Sequence, residues 1–127
     1  MKEKIICDTN VISRLLLGNN PEINTTIDEI GLENIYITPV IRIELLNWLC
    51  LYQGIDRSKR NLFKKTILRF PLIHLNENIS RLAVELSEQK PHSKVADTLI
   101  GATVLHYNLR IYTLNKEDFQ LINIPLY

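Results

Sequence analysis

The stretch that most constrains this chain is residues 93–107, S-K-V-A-D-T-L-I-G-A-T-V-L-H-Y. From Val95 onward apolar residues fall on nearly every side of a helical wheel, so it reads as a helix enclosed by other elements. Ser93 is placed to cap its first turn, and Asn108 to end it in the left-handed conformation. Asp97 is the only acid within it. A carboxylate on an enclosed helix is unfavourable unless it is hydrogen-bonded, paired or on a cation. A first-turn aspartate is also favoured by the helix dipole and can cap a neighbouring loop. Asp97 alone therefore decides nothing; what matters is whether other carboxylates converge on it.

The rest of the chain alternates short apolar runs with helical patterns. Residues 4–7 (K-I-I-C) form a buried strand that ends at Asp8-Thr9-Asn10, and residues 11–17 are apolar enough for a helix closed by Gly18. Asp8 thus lies at a strand's carboxyl end, where open parallel sheets bind ligands, although an Asp or Thr there is also a common helix cap. A helix over 22–30 leads to a second strand at 35–37. Thr38-Pro39 then follows the helix-start rule, a capping hydroxyl before proline at the first helical position. That helix runs to about residue 53, with Ile41, Leu45, Trp48, Leu49 and Tyr52 as its core stripe. Glu44 sits at the edge of this buried face, near the preceding strand's carboxyl end. An edge glutamate is usually just solvated.

Asp56 caps a helix over 57–70 with Phe63, Ile67 and Phe70 on its apolar face. Its other half carries Arg57, Arg60, Lys64, Lys65 and Arg69. With Lys59 these are six of the 15 basic residues in the chain, and no acid lies among them. Exposed basic helices are more often solubilising than functional, but this one suits a nucleic-acid backbone if a catalytic acid cluster lies nearby. A short strand at 71–75, a helix over 77–89 capped by Asn76, and the enclosed helix follow. A strand at 110–113 opens into L-N-K-E-D-F, where Asn115 is a candidate helix cap, and residues 121–124 are expected to add an edge strand. The expected fold is α/β: a three-layer α/β/α sandwich around a mostly parallel sheet, as a single domain over residues 1–127.

Bulk properties exclude several classes. A net charge of +1 gives no global attraction to nucleic acid or membrane, so any such contact must use a local patch. Cys7 and Cys50 both sit in apolar runs and are expected to be buried thiols in a reducing compartment, not a disulfide framework or a zinc site. No apolar run approaches the ~20 residues of a spanning helix, and Lys2-Glu3-Lys4 precedes too short an apolar run for a signal peptide. The expectation is a cytoplasmic protein with no membrane contact.

Asp8, Glu44, Asp97, Asn115 and Asp118 share one description. If their strands are parallel neighbours, all five reach one crevice at the sheet's carboxyl edge. Clustered carboxylates repel, so they need a cation or shifted pKa values. Oxygen ligands without His or Cys suit Mg²⁺ or Mn²⁺ rather than zinc. Such an ion orients and activates water at a phosphodiester.

At this point the chain resembles a known family. C-D-T-N-V-I-S, the glutamate in I-R-I-E-L-L, A-D-T-L-I-G-A-T and T-L-N-K-E-D-F are similar, in order and spacing, to the four signature blocks of PIN-domain nucleases. The likeness covers essentially the whole chain, and the length matches VapC-type toxins of toxin–antitoxin pairs. It implies a divalent-metal endoribonuclease acting on RNA, with Asp8, Glu44 and Asp97 as metal-binding acids. It also implies a small antitoxin partner and a homodimer. The family often has a fourth acid at the position held here by Asn115, whose amide brings no charge; Asp118 stands one turn later. Thr9 is a further candidate, steadying a ligand or water through its hydroxyl. For the RNA backbone the candidates are Arg57, Arg60 and Lys64.

Other readings fit less well. A phosphoacceptor receiver domain needs paired acids after the first strand, and a haloacid-dehalogenase-type phosphatase needs D-x-D where this chain has D-T-N. The alternative that stays open is a catalytically weak or inactive PIN-like module that binds RNA or protein, motivated by Asn115.

Overall fold

The sheet is built on one short, fully buried strand. In a computed structural model describing residues 3–127, β1 (Ile5–Cys7) lies between β2 (Ile35–Tyr36) and β3 (Arg110–Tyr112), and both pairings are parallel. Met1 and Lys2, the latter part of the leader reading, lie outside the described residues. Single parallel bridges widen the sheet at its edges, Leu72 beside Ile37 and Leu126 beside Ile111. The order across the sheet is therefore Leu72, β2, β1, β3, Leu126. A strand buried on both faces reads as a continuous apolar run, which is what Ile5, Ile6 and Cys7 supply.

Among the described residues, seven α-helices accompany these strands: α1 (Thr9–Leu17), α2 (Pro21–Ile30), α3 (Pro39–Leu51), α4 (Arg57–Arg69), α5 (Glu77–Gln89), α6 (Val95–His106) and α7 (Lys116–Gln120). The chain moves outward from β1 through β2 to Leu72, then reverses across β1 to β3 and Leu126. With right-handed crossovers, α1 to α4 fall on one face and α5 to α7 on the other. The contacts agree: α1 packs on α2 and α3, α3 on α4, and α6 on α5 and α7. This is the α/β/α architecture expected. The reversal makes the carboxyl ends of β1 and β3 a topological switch point.

Caps explain most helix boundaries. Thr38 Oγ1 accepts the Ile41 N–H at 3.2 Å, Asp56 accepts from Lys59 at 2.7 Å, and Asn76 accepts from Ile79 at 2.9 Å. α6 is enclosed as its composition demands, with Thr98, Ile100, Gly101, Ala102, Thr103 and Val104 all buried. Its two buried threonines return their hydroxyls to carbonyls one turn back, Lys94 and Leu99, so neither is left unpaired. Gly101 lets the chain after α7 close onto the helix; a Cβ there would meet Ile124 and Ile122 side chains at 2.9–3.0 Å. Asn108 ends α6 with φ of +53°, the left-handed stop expected.

Several expectations change. Ser93 does not cap α6: Lys94 holds the cap position with no side-chain bond, and the Ser93 hydroxyl is buried without a partner. Asn115 likewise precedes α7 without capping it. The strand expected at 71–75 is reduced to the Leu72 bridge, because the chain must turn at once toward α5. Residues 121–124 are not a strand either. The Ile122 and Ile124 N–H groups both bond the Phe119 carbonyl and Asn123 is left-handed, so sheet pairing waits until Leu126. Cys7 is buried, but Cys50 is exposed, since Ile41, Leu45 and Leu49 define the inward face of α3 and residue 50 turns away from it.

The most consequential correction concerns Arg60. α3 and α4 form an antiparallel hairpin whose ends are tied by two arginines. Arg60 donates to the carbonyls of Leu49 and Tyr52, the latter at 2.7 Å, closing the carboxyl end of α3. Arg42 does the reverse, donating to Phe70 at 2.9 Å and Leu68 at 3.3 Å to close α4. The Arg60 guanidinium is turned inward onto backbone, so it leaves the RNA-facing set, while Arg57 and Lys64 remain exposed. Arg60→Gln should therefore destabilise the protein by about 1–3 kcal/mol, because its charged bonds to orphan helix carbonyls are removed. Lys64→Gln should stay within about 0.5 kcal/mol of the parent in the same denaturant titration. Equal stabilities for the two variants would refute the hairpin-clasp role.

Candidate active site

Asp8 leaves β1 at the switch point, and three bonds fix it there. Its N–H donates to the Tyr112 carbonyl at 2.9 Å, fastening it to β3. Its Oδ1 accepts the Thr9 N–H at 2.9 Å, and its Oδ2 accepts the Thr113 hydroxyl at 2.7 Å. A carboxylate serving only as a helix cap bonds the second or third N–H of its helix. Asp8 bonds the first and then reaches across to the neighbouring strand. Only 5% of it is exposed. Burial pushes its pKa up, the two hydrogen bonds pull it back, and the charges of Glu44 and Asp118 push it further up.

The other acids come from both layers. α3 brings Glu44, half-buried, and the Thr9 hydroxyl donates to its Oε1 at 2.7 Å. α6 brings Asp97, half-buried, which accepts no hydrogen bond from any described residue and so caps no loop. Burial chiefly, then the charges of Asp8 and Asp118, opposed by Lys94, with a smaller push from Glu44, raise its pKa to about 6. α3 and α6 belong to opposite layers yet touch each other, which brings Glu44 and Asp97 within each other's field. α7 brings Asp118, whose Oδ2 takes a 3.4 Å contact from Lys94 Nζ.

Of the expected residues, Asp8, Glu44, Asp97 and Asp118 come within charge range of one another near the carboxyl end of β1, and Thr9 bonds both Asp8 and Glu44. Asn115 does not join them: it is exposed and contributes its backbone N–H, which donates to Thr113 Oγ1 at 3.0 Å. Its place as fourth polar group passes to Asp118, one turn on. Two members were not anticipated. Thr113 is 2% exposed and links Asp8 to the loop after β3. Its position at the head of T-L-N, on the strand beside that of Asp8, is the signal that could have found it. Lys94 lies one helical turn before Asp97 and is the cation acting on that group. Asn10 also ties the site together, its side-chain oxygen accepting the Leu114 N–H at 3.3 Å.

The donor set fits a hard divalent cation. It is all oxygen; the Cys7 thiol points into the core, where burial and then the Asp8 charge raise its pKa and keep it protonated. Among the described residues no three His, Cys, Asp or Glu side chains are gathered closely enough to hold an ion as they stand. Thr113, Thr9 and Lys94 each hold a different acid: Asp8, Glu44 and Asp118.

Known proteins share both the sequence pattern and the fold. The PIN domain profile matches residues 5–124. The chain belongs to the PIN-domain family. Its fold is that of several solved structures. FitAcB from Neisseria gonorrhoeae has a TM-score of 0.81 at 21% identity, with 97% of this chain and 96% of that one covered. A toxin–antitoxin complex from Klebsiella pneumoniae gives 0.77 at 20%, covering 97% and 96%. VapBC2 from Rickettsia felis, bound to a fragment of its promoter DNA, gives 0.77 at 17%, covering 96% and 95%. No curated protein sequence matches the chain.

The raised carboxylates of this PIN domain make its stability pH-dependent. Asp97 has a folded-state pKa of about 6 against 3.8 unperturbed, so the folded protein binds more protons across that interval. This group's contribution is fully present below the lower value and is lost as pH rises through the upper one. Asp8 acts in the same direction. Asp97→Asn should raise Tm at pH 7 in chelator by a few degrees and flatten the profile between about pH 4 and 7. Water screens a half-buried group, which keeps the gain small. Thermal melts across that range check it; an unaltered profile would contradict mutual repulsion among the acids.

Proposed function

We propose that this PIN domain is a divalent-metal-dependent endoribonuclease that hydrolyses RNA phosphodiester bonds in the cytoplasm, as the toxin of a type II toxin–antitoxin pair. The observation that carries this reading is the charge coupling of Asp8, Glu44, Asp97 and Asp118, with Lys94 as the cation acting on Asp97. Asp8, Glu44 and Asp97 would hold Mg²⁺ or Mn²⁺. When bound, that ion supplies an oriented, acidified water and charge stabilisation at the phosphodiester. Asp8 is held by Thr113 and Thr9, and Glu44 by the Thr9 hydroxyl, so both present their remaining lone pairs in fixed directions. Asp118 restores the negative charge that Asn115 lacks. That charge supports the catalytic reading over an inactive binding module.

Partners follow from surface chemistry and from the neighbours. The exposed basic face of α4, with Arg57 and Lys64, would meet the RNA backbone. The structural neighbours include toxin–antitoxin complexes. An antitoxin guanidinium pairing bidentately with crevice carboxylates would block the site in this protein. Exposed Ile43, Leu51, Leu62 and Leu68 on the α3–α4 hairpin support a homodimer.

Two experiments test the reading. RNA should be cleaved with Mg²⁺ or Mn²⁺ and not in chelator. Asp8→Asn should abolish cleavage and weaken Mn²⁺ binding by calorimetry without lowering Tm of the metal-free protein. Unchanged Mn²⁺ affinity in that variant would remove Asp8 from the metal site. Independently, Arg57→Gln with Lys64→Gln should weaken RNA binding and flatten its dependence on log salt. On a single strand the slope should fall by roughly 0.7 for each phosphate that is no longer neutralised. The rate at saturating RNA should hold; an unchanged slope would leave α4 as a merely solvated face.

A further inference from the structure

The crevice has an electrostatic difficulty that the metal does not fully resolve. A phosphodiester is an anion, and it must approach four carboxylates. A bound divalent ion offsets only half of their formal charge. Field-driven association then disfavours the substrate unless a positive group stands at the entrance.

Lys94 is the cation that acts on both Asp97 and Asp118. It occupies the cap position of α6, one turn before Asp97, and its ammonium lies 3.4 Å from Asp118 Oδ2. The pair is open to solvent, 72% exposed on the lysine side and 38% on the aspartate side. A long, exposed contact of this kind contributes little to stability, so a competing anion displaces it readily. A lysine ammonium is a flexible point charge that binds phosphate without fixed geometry. Beside it, residues 114–118 frame a shallow hollow of about 330 Å³, polar at Asn115, Lys116, Glu117 and Asp118.

We infer that Lys94 is a substrate-positioning residue: its ammonium rests on Asp118 in the free protein and transfers to a non-bridging phosphate oxygen of the RNA when substrate enters the crevice. No bond to the ammonium is made or broken beyond exchange of its hydrogen-bond acceptor. The inference rests on the nuclease reading above and adds to it the group that receives the phosphate. Asp118 then has two states, paired to Lys94 without substrate and released with it.

The test uses Lys94→Gln and Lys94→Arg, read three ways. Fluorescence anisotropy with a mixed-sequence single-stranded oligoribonucleotide, on the cleavage-deficient Asp8→Asn protein, gives affinity against salt. Lys94→Gln should weaken binding about five- to tenfold and reduce the slope by about 0.7, the value for one phosphate, and Lys94→Arg should restore most of both. In the otherwise native protein Lys94→Gln should raise KM while leaving kcat within about twofold. Mn²⁺ affinity by calorimetry should be unchanged or slightly higher, since a neighbouring cation has gone. Unaltered RNA affinity and slope would overturn the inference and leave Lys94 as a surface ion pair. A loss of RNA affinity matched by an equal loss of Mn²⁺ affinity would overturn it too, assigning Lys94 to support of the metal site. Failure of the underlying reading looks different: the native protein would bind no Mn²⁺ and cleave no RNA, whatever the residue at 94.

Discussion

A buried carboxylate at the end of the central strand is the feature that most of this structure serves. Burying Asp8 is unfavourable unless its oxygens are bonded, and two groups bond them: the Thr113 hydroxyl and the Thr9 amide. Each needs a particular arrangement of chain. Thr113 reaches Asp8 only if β3 lies directly beside β1, in parallel and in register, with Cys7 opposite Tyr112. Thr9 reaches it only if α1 begins without an intervening loop. The strand order, the abrupt start of α1 and the turn after β3 are thus conditions for holding one acid.

Like-charge repulsion is the opposing term, and it is distributed across the layers. α3 and α6 approach from opposite faces of the sheet and meet above its carboxyl edge, so Glu44 and Asp97 feel one another through the crevice. The stability for this comes from elsewhere, chiefly the isoleucine-rich interior. Ile6, Ile12, Ile35, Ile37, Ile41, Ile67 and Ile111 are wholly buried. Each buried aliphatic side chain contributes roughly 1.5–3 kcal/mol by removal from water.

Much of this was legible in the residues because the relevant signals are local. The all-round apolar character of residues 95–106 foretold an enclosed helix, and Thr38-Pro39, Asp56 and Asn76 foretold three helix starts, each with its cap bond in place. The carboxyl-edge logic expected Asp8, Glu44 and Asp97 near one another, and the charges of Asp8 and Glu44 do act on Asp97. What was not legible depended on contacts between distant segments. Arg60 looked like one more cation on a basic helix; its direction is set by the carbonyls of Leu49 and Tyr52, which only the hairpin brings within reach. Asn115 looked central by motif position, but it leaves α7 without a side-chain cap, and it is the charge of Asp118, one turn on, that acts on Asp8 and Asp97. The expected strand at 121–124 failed because the turns through Phe119 and Asn123 compete for the same backbone groups. The Thr113 link to Asp8 needs strand order, which periodicity does not report.

Whether the four acids form an ion-binding centre, and not merely a strained cluster, is decided most directly in crystals soaked in Mn²⁺, with anomalous differences measured at the manganese edge. The expected result is a peak in contact with carboxylate oxygens of Asp8, Glu44 and Asp97, with Thr9 still bonded to Glu44. A map with no peak among these carboxylates at saturating Mn²⁺, or one whose only peak lies outside the crevice, would contradict the ion-binding role.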